Sequence, residues 1–370
     1  MRILSVIGTR PDAIKMAMVA RALDAGEVEH RLCATGQHRE MLDAVLAEFG
    51  LRPDYDLGVM VPDQDLAYIT HAVLNGMADV LNDFLPDRVL VQGDTTTTLA
   101  AALAAYYAKV PVGHIEAGLR SGDPTMPWPE EMNRRLTDQL SDRHYAPTPR
   151  ARENLLAEGF DDAGIRVTGN TGIDALLHVA ARLESEPALR QRARSAVGSM
   201  LDPARRLILV TAHRRENLGR GLARICEALG QLASRGDVEI VYPVHPNPNV
   251  AKPVRAALGS RPHVHLPCAL EYVTFIYLMT QAHIIITDSG GIQEEAPVLG
   301  TPVLVTRDQT ERPEGVGAGT ARLVGTHAGV IVGEAQRLLD DPEAYAAMAR
   351  RHSPYGDGCA SEKILRDLAA

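Results

Sequence analysis

Residues Thr287–Pro297 read TDSGGIQEEAP and follow the isoleucine run Ile284-Ile285-Ile286. A short apolar run, two glycines and then helical spacing predict strand, tight turn and helix. Ser289, Gly290 and Gly291 leave backbone N–H groups and a hydroxyl open at the helix start, where a phosphate is favoured. Glu294 and Glu295 should repel that anion unless they reach past it. Ile292, Glu295 and Leu299 share one side of the helix, so Glu295 lies one turn beyond the phosphates. There it can accept hydrogen bonds from the two hydroxyls of a ribose, and a nucleotide fits this order. The plainer alternative is a structural turn with a solvated helix.

The same rhythm runs outward in both directions. The first half carries strand patterns at Arg2–Ile7, Arg31–Ala34, Arg88–Val91, Val112–Ile115 and His144–Ala146. Helical patterns separate them at Ala13–Leu23, Arg39–Phe49, Leu66–Phe84 and Thr96–Ala108. After GNTGIDALL the pattern restarts, with strands at Leu207–Thr211, Glu239–Pro243, His263–Leu266, His283–Thr287 and Pro302–Val305. Alternation of this kind predicts an α/β protein with parallel sheets covered on both faces, ligands lying at the carboxyl ends of the strands. With 370 residues and about 100–200 residues per domain, two domains are expected: 1–170, and 171–355. A final helix lies within about 356–370.

The totals narrow the function. The net charge of −9 argues against nonspecific nucleic-acid binding, which needs a basic surface. Cys33, Cys226, Cys268 and Cys359 are far apart and form no CxxC pair, so buried, reduced thiols are expected rather than zinc or disulfides. HExxH is absent and no metal is expected. No run approaches the roughly 18 apolar residues of a spanning helix, and the opening residues lack a signal-peptide pattern. The expectation is a cytoplasmic protein that binds neither nucleic acid nor membrane.

Other motifs fall at predicted strand ends. GTRPDAIK (Gly8–Lys15) is neither a P-loop nor a dinucleotide fingerprint, but Gly8 frees the turn, Pro11 suits a helix start and Arg10 stands at the helix mouth. Asp94 in QGDTTTT suits a helix cap, or a carboxylate presented to a ligand. Glu116 in GHIEAGLRSGD ends a buried strand, where an unpaired charge is costly; a salt bridge to Arg120 or Arg134 would explain it equally. Glu130 and Glu131 in PWPEEMNRRLTD suit a first helical turn. Acids at three separate positions of one domain suggest acid–base work on one substrate. In the second half, TAHRREN puts His213 and Arg214 at the position equivalent to Arg10, and HPNPN adds His245 at the next strand end. Arg312 lies in RDQTERPEG.

Taken together, GTRPDAIKM, GQHREML, GDTTTT, GHIEAGLRSGD, PWPEEMNRR, GNTGIDAL, TAHRREN, YPVHPNPNV, TDSGGIQEEAP, TERPEG and SPYGDG resemble, in order and over nearly the whole chain, the non-hydrolysing bacterial UDP-N-acetylglucosamine 2-epimerases. The resemblance implies a GT-B-type fold of two Rossmann-like domains with a cleft between them, the last helix packing back on the first domain. It also implies a homodimer, needing no cofactor, that interconverts UDP-GlcNAc and UDP-ManNAc for surface polysaccharide. Carried over by motif, Asp94, Glu116, Glu130 and His213 match the catalytic set. Arg10, Lys15, His213, Phe275, Ser289, Gly290, Gly291, Glu295 and Arg312 match the UDP contacts. Bacterial members bind a second substrate molecule as activator, and Gln37, His38, Arg214 and His245 match positions implicated there. The chain departs from the family pattern at Leu270, often Gln; at Gln309, usually Thr; and at Asp63, where some relatives are basic. The rival readings are a hydrolysing epimerase releasing ManNAc and UDP, a GT-B glycosyltransferase, and a nonenzymatic sugar-nucleotide sensor.

Overall fold

The computed structural model describes residues 1–36, 39–61 and 64–369. The chain divides into two compact units, Met1–Leu177 with Tyr355–Ala370, and His178–Pro354. The division falls after Leu177, inside the helix Thr171–Ser185, rather than after residue 170.

The first unit is built on a seven-stranded sheet. Its strands are β1 (Arg2–Ile7), β2 (Glu29–Ala34), β3 (Tyr55–Asp56), β4 (Arg88–Gln92), β5 (Val112–Ile115), β6 (Arg143–Ala146) and β7 (Ile165–Val167), in the order β3-β2-β1-β4-β5-β6-β7. The second unit has β8 (Arg206–Thr211), β9 (Val238–Val241), β10 (Val264–His265), β11 (Ala282–Thr287), β12 (Val303–Val305) and β13 (Ala321–Leu323), in the order β10-β9-β8-β11-β12-β13. Every pairing given for these strands is parallel. Both orders reverse direction beside the unit's first strand. Each sheet therefore has a switch point, between β1 and β4 and between β8 and β11, where connecting loops diverge and leave a crevice.

Composition explains the packing. Central strands such as Ile208–Val210 and Ile284–Ile286 are buried on both faces, so their sequences are continuous apolar runs rather than alternations. The helix Thr96–Tyr107 buries Ala100, Ala101, Ala102, Ala104 and Ala105. Small side chains there let it sit close to the sheet and to the helix Leu66–Phe84.

The last helix, Ala360–Leu368, belongs to the first unit. Its N-terminal N–H groups at Ala360 and Ser361 donate to the Asp174 carboxylate at 3.1 and 2.7 Å. Asp367 near its end accepts from Tyr145 Oη at 3.1 Å and Arg166 Nε at 2.7 Å.

Three strands escape the sequence pattern: β3, β7 and β13. Each has two or three residues and lies at the end of its sheet with a single neighbour. The cysteine expectation needs correcting. All four thiols are free, and Cys33 and Cys226 are buried, but Cys268 is exposed and Cys359 half-buried. Burial pushes the Cys33 thiol up to about 12. Among the described residues, no helix is long and apolar enough to cross a membrane, and no cluster of His, Cys, Asp or Glu is arranged to hold a metal ion.

Candidate active site

In the first unit the polar side chains collect at the β1/β4 switch point. Thr9 caps the helix Arg10–Asp24, and Asp12 returns a bond to the Thr9 N–H at 3.0 Å. This is a capping box. Arg10 is the half-buried first residue of that helix, with Pro11 in its first turn. Gly8 is needed for close approach: a Cβ there would lie 2.4 Å from Thr97 Oγ1.

Lys15, two turns along the same helix, reaches Glu116 with its Nζ 2.6 and 2.5 Å from the two carboxylate oxygens. Gln92 Nε2 donates to the same carboxylate. Glu116 is 7% exposed, and its backbone has φ of 69°, rare for a residue with a side chain. Holding such a backbone costs about 1–3 kcal/mol and is concentrated at functional sites. The salt bridge weighed from sequence, to Arg120 or Arg134, is not the one formed. Arg120 binds Asp138 and Glu158, and Arg134 binds Asp94.

Asp94 also differs from its expected cap role. Thr95, not Asp94, caps the helix Thr96–Tyr107, which leaves the Asp94 carboxylate free to accept from Arg134 Nη2 at 2.5 Å. The carbonyls of Gly93 and Asp94 accept from His114 Nε2 at 2.8 Å and Asn133 Nδ2 at 3.0 Å. Asn133 and Arg134 lie on the helix Glu130–Leu140, whose first residue is Glu130. Glu130 is half-buried, while Glu131 is fully buried and accepts from Ser121 N and Arg135 Nε. The structure thus ties the Asp94 turn directly to the Glu130 helix. It sets Glu116 on β5's carboxyl end, beside β4.

In the second unit the β8/β11 switch point is organised by Asp288, which is fully buried. Its carboxylate accepts from the N–H of His213 at 3.1 and 3.0 Å, the N–H of Arg214 at 2.9 Å and Asn217 Nδ2 at 3.0 Å. His213 is therefore not at a helix mouth as its spacing suggests. A 3₁₀ turn, Arg215–Asn217, precedes the helix Arg220–Ala233. The His213 ring stacks on His245, centroids 5.3 Å apart. Partial desolvation holds the His213 imidazole below its usual pKa; nearby Asp288 opposes this, and His245 and Arg214 add to it. His245 Nδ1 accepts from Asn247 N at 3.1 Å.

The glycine turn separates its two glutamates. Ser289 precedes the helix Gly290–Leu299 and makes no side-chain cap bond. Its own N–H is turned to Thr287 Oγ1 at 2.9 Å, so that group is not offered outward as the sequence suggests. Glu294 is buried and binds Arg312 Nε, and Glu311 binds the same guanidinium. A Cβ on Gly290 would lie 2.5 Å from Arg312 Cζ, so glycine lets the guanidinium lie across the helix start. Glu295 is half-buried, near Gly291. Phe275 is half-buried on the helix Tyr272–Gln281. Gln37, His38 and Asp63 lie outside the described residues.

Sequence reasoning passed over Asp12, Gln92 and Asp288. The Thr9–Asp12 spacing was a readable capping signal. Gln92 and Asp288 gave none, because their partners are distant in the chain.

Two tandem, doubly wound parallel sheets with polar groups gathered on their carboxyl-end loops define a GT-B-type α/β protein. A family model described as UDP-N-acetylglucosamine 2-epimerase matches residues 21–369. A protein from Ralstonia nicotianae named probable UDP-N-acetylglucosamine 2-epimerase is 56% identical, covering 100% of this chain and 99% of its own. The UDP-N-acetylglucosamine 2-epimerase of Escherichia coli K12 is 54% identical over 100% of this chain and 98% of its own. The crystal structure of UDP-GlcNAc 2-epimerase from Neisseria meningitidis, bound to UDP-GlcNAc, superposes with a TM-score of 0.96 at 49% identity, covering 100% of both chains. The chain belongs to the UDP-N-acetylglucosamine 2-epimerase family.

Proposed function

We propose that this chain reversibly epimerises C2 of UDP-GlcNAc to give UDP-ManNAc, without net hydrolysis. The C2 hydrogen is not acidic in the intact sugar. Cleavage of the bond from C1 to the diphosphate oxygen sends its electron pair out with UDP and leaves an oxocarbenium-like carbon, which acidifies C2–H. A carboxylate then takes the C2 proton, and the C–H electrons close a C1–C2 double bond, giving 2-acetamidoglucal. Protonation of C2 on the opposite face and return of the UDP oxygen to C1 complete the exchange.

The roles divide by unit. Arg10 in the first unit, and His213, Arg312 and the helix start at Ser289–Gly291 in the second, hold and stabilise the departing diphosphate. Glu295 takes the ribose hydroxyls and Phe275 packs near the uracil. Asp94, Glu116 and Glu130 handle protons, two faces requiring two such groups. Lys15 binds the diphosphate and also holds the Glu116 carboxylate in place. The observation that carries the acid–base assignment is the placement of Asp94 and Glu116 after adjacent strands, each held by a cation at 2.5 Å. Arg214 and His245, the latter stacked on His213, are proposed to bear on activation by a second substrate molecule. A homodimer is proposed as the working form, and light scattering tests it.

The test is incubation with UDP-GlcNAc in D₂O, followed by proton NMR. UDP-ManNAc with deuterium at C2 is expected. Free ManNAc and UDP as the products would instead establish the hydrolysing reaction, and full retention of hydrogen would remove the solvent-exchanging base. Asp94→Asn and Glu116→Gln should lower kcat by about 10²–10⁴-fold with UDP affinity little changed.

A further inference from the structure

We propose that Asp12 is a positioning residue for the proton-handling acids, joining the turn after β1 to the turn that presents Asp94. The inference rests on the reaction proposed above. Asp12 is 4% exposed, so its carboxylate is not part of the solvated surface. One of its oxygens, Oδ2, accepts from the Thr9 N–H at 3.0 Å and from Thr95 Oγ1 at 3.4 Å. The first bond belongs to its own helix, and capping alone accounts for it. The second reaches across to the residue that follows Asp94, and capping does not account for it.

Thr95 carries the connection onward. Its Oγ1 accepts from the Thr98 N–H at 3.2 Å. Thr98 Oγ1 donates to the Gln92 carbonyl at 2.7 Å, and the Gln92 side chain donates to Glu116. Glu116 is held by Lys15, one turn from Asp12 on the same helix. The circuit closes: the opening turns of one helix grip the Asp94 turn through Asp12 and the Glu116 carboxylate through Lys15. Gly8 lets the two turns approach, since a side chain there would strike Thr97.

A buried anion in this place also acts on its neighbours. The charged groups facing it are Asp94, from the turn after β4, and Lys15, from its own helix. Burial pushes the Asp12 carboxyl up to about 7; its bonds to Thr9 oppose this, and Asp94 adds to it. Ionised Asp12 accepts both bonds as a full anion and so grips the turn that carries Asp94 more strongly. Protonated Asp12 accepts the Thr95 bond more weakly, so turnover should carry an inflection near neutral pH that belongs to Asp12.

The experiment measures kcat, KM, C2 deuterium incorporation and urea midpoint for wild type, Asp12→Asn, Thr95→Val, Thr95→Ser and the Asp12→Asn/Thr95→Val double variant. Asp12→Asn and Thr95→Val should each lower kcat about 10-fold with KM within about 2-fold. The double variant should be no slower than the worse single one, because Thr95→Val removes the donating hydroxyl and Asp12→Asn removes the charge that strengthens the same bond. Thr95→Ser, which keeps the hydroxyl, should recover kcat to within about 2-fold of wild type. The inflection near neutral pH should vanish in Asp12→Asn. Additive losses, an unchanged pH profile, or a kcat loss no greater than the unfolded fraction would leave Asp12 a helix cap and overturn the proposal. Deuterium incorporation by wild type that is undiminished in both single variants overturns it while leaving the reaction intact. No deuterium with wild type overturns the reaction, and this inference with it.

Discussion

At the scale of single residues, the two glutamates after the glycine turn separate by direction. Glu294 points inward to Arg312, whose side chain is 11% exposed, whereas Glu295 is half-buried. Glu294→Gln should destabilise the protein by about 1–3 kcal/mol, since it leaves a buried guanidinium short of a charge partner. Glu295→Gln should weaken UDP binding about 10-fold by calorimetry. Equal effects of the two on UDP affinity would contradict the division. Asp12 makes a separate prediction about stability. Its folded pKa is raised from 3.8 to about 7, so the folded state holds this proton more tightly than the unfolded chain. The resulting stabilisation is complete below about pH 4 and is lost as pH rises through about 7. Urea unfolding at pH 5 and pH 8 should therefore show Asp12→Asn gaining on wild type by an amount on the order of 3 kcal/mol.

At the scale of elements, the strand–turn–helix units work because small residues let two of them meet. Gly8 faces the β-branched side chain of Thr97, with a Cβ predicted at 2.7 Å from Thr97 Cβ and 2.8 Å from its Cγ2. A β-branched side chain in a packed helix start has few rotamers to retreat into. Gly8→Ala should cost about 1–3 kcal/mol, and Thr97→Ala in the same chain should recover only part of it, because alanine keeps the Cβ at 2.7 Å. Denaturant titration of the two variants would check this. The elements were largely readable. The helix Leu66–Phe84 and the strands at Arg2–Ile7 and Val112–Ile115 have the bounds that their spacing predicts. The three short edge strands were not readable, because hydrogen bonds to a neighbour define them more than their own composition does.

At the scale of the whole chain, the last helix depends on a partner nearly two hundred residues away. Cys359, its N-cap, makes no side-chain cap bond, and Asp174 from the helix Thr171–Ser185 supplies the acceptor. Asp174→Ala should cost about 1–3 kcal/mol. Hydrogen exchange should then quicken in Ala360–Leu368 and its packing partner Arg10–Asp24 while leaving His178–Pro354 unchanged. Exchange rising equally in both units would show that the helix does not belong energetically to the first.

The sequence by itself determined what depends on neighbours along the chain. Apolar runs, glycine turns and helical spacing specify an α/β protein of repeated strand–helix units, and ordered motifs such as GDTTTT and TDSGGIQEEAP specify the family. Tertiary structure decided which charge meets which. Lys15 rather than Arg120 or Arg134 holds Glu116, Arg134 holds Asp94, and Asp288 fixes the His213 loop. Backbone preference and hydrophobic periodicity act over a few residues. A charge pairs with whatever the sheet order brings within hydrogen-bonding reach, and in these units that order joins residues some forty to a hundred positions apart.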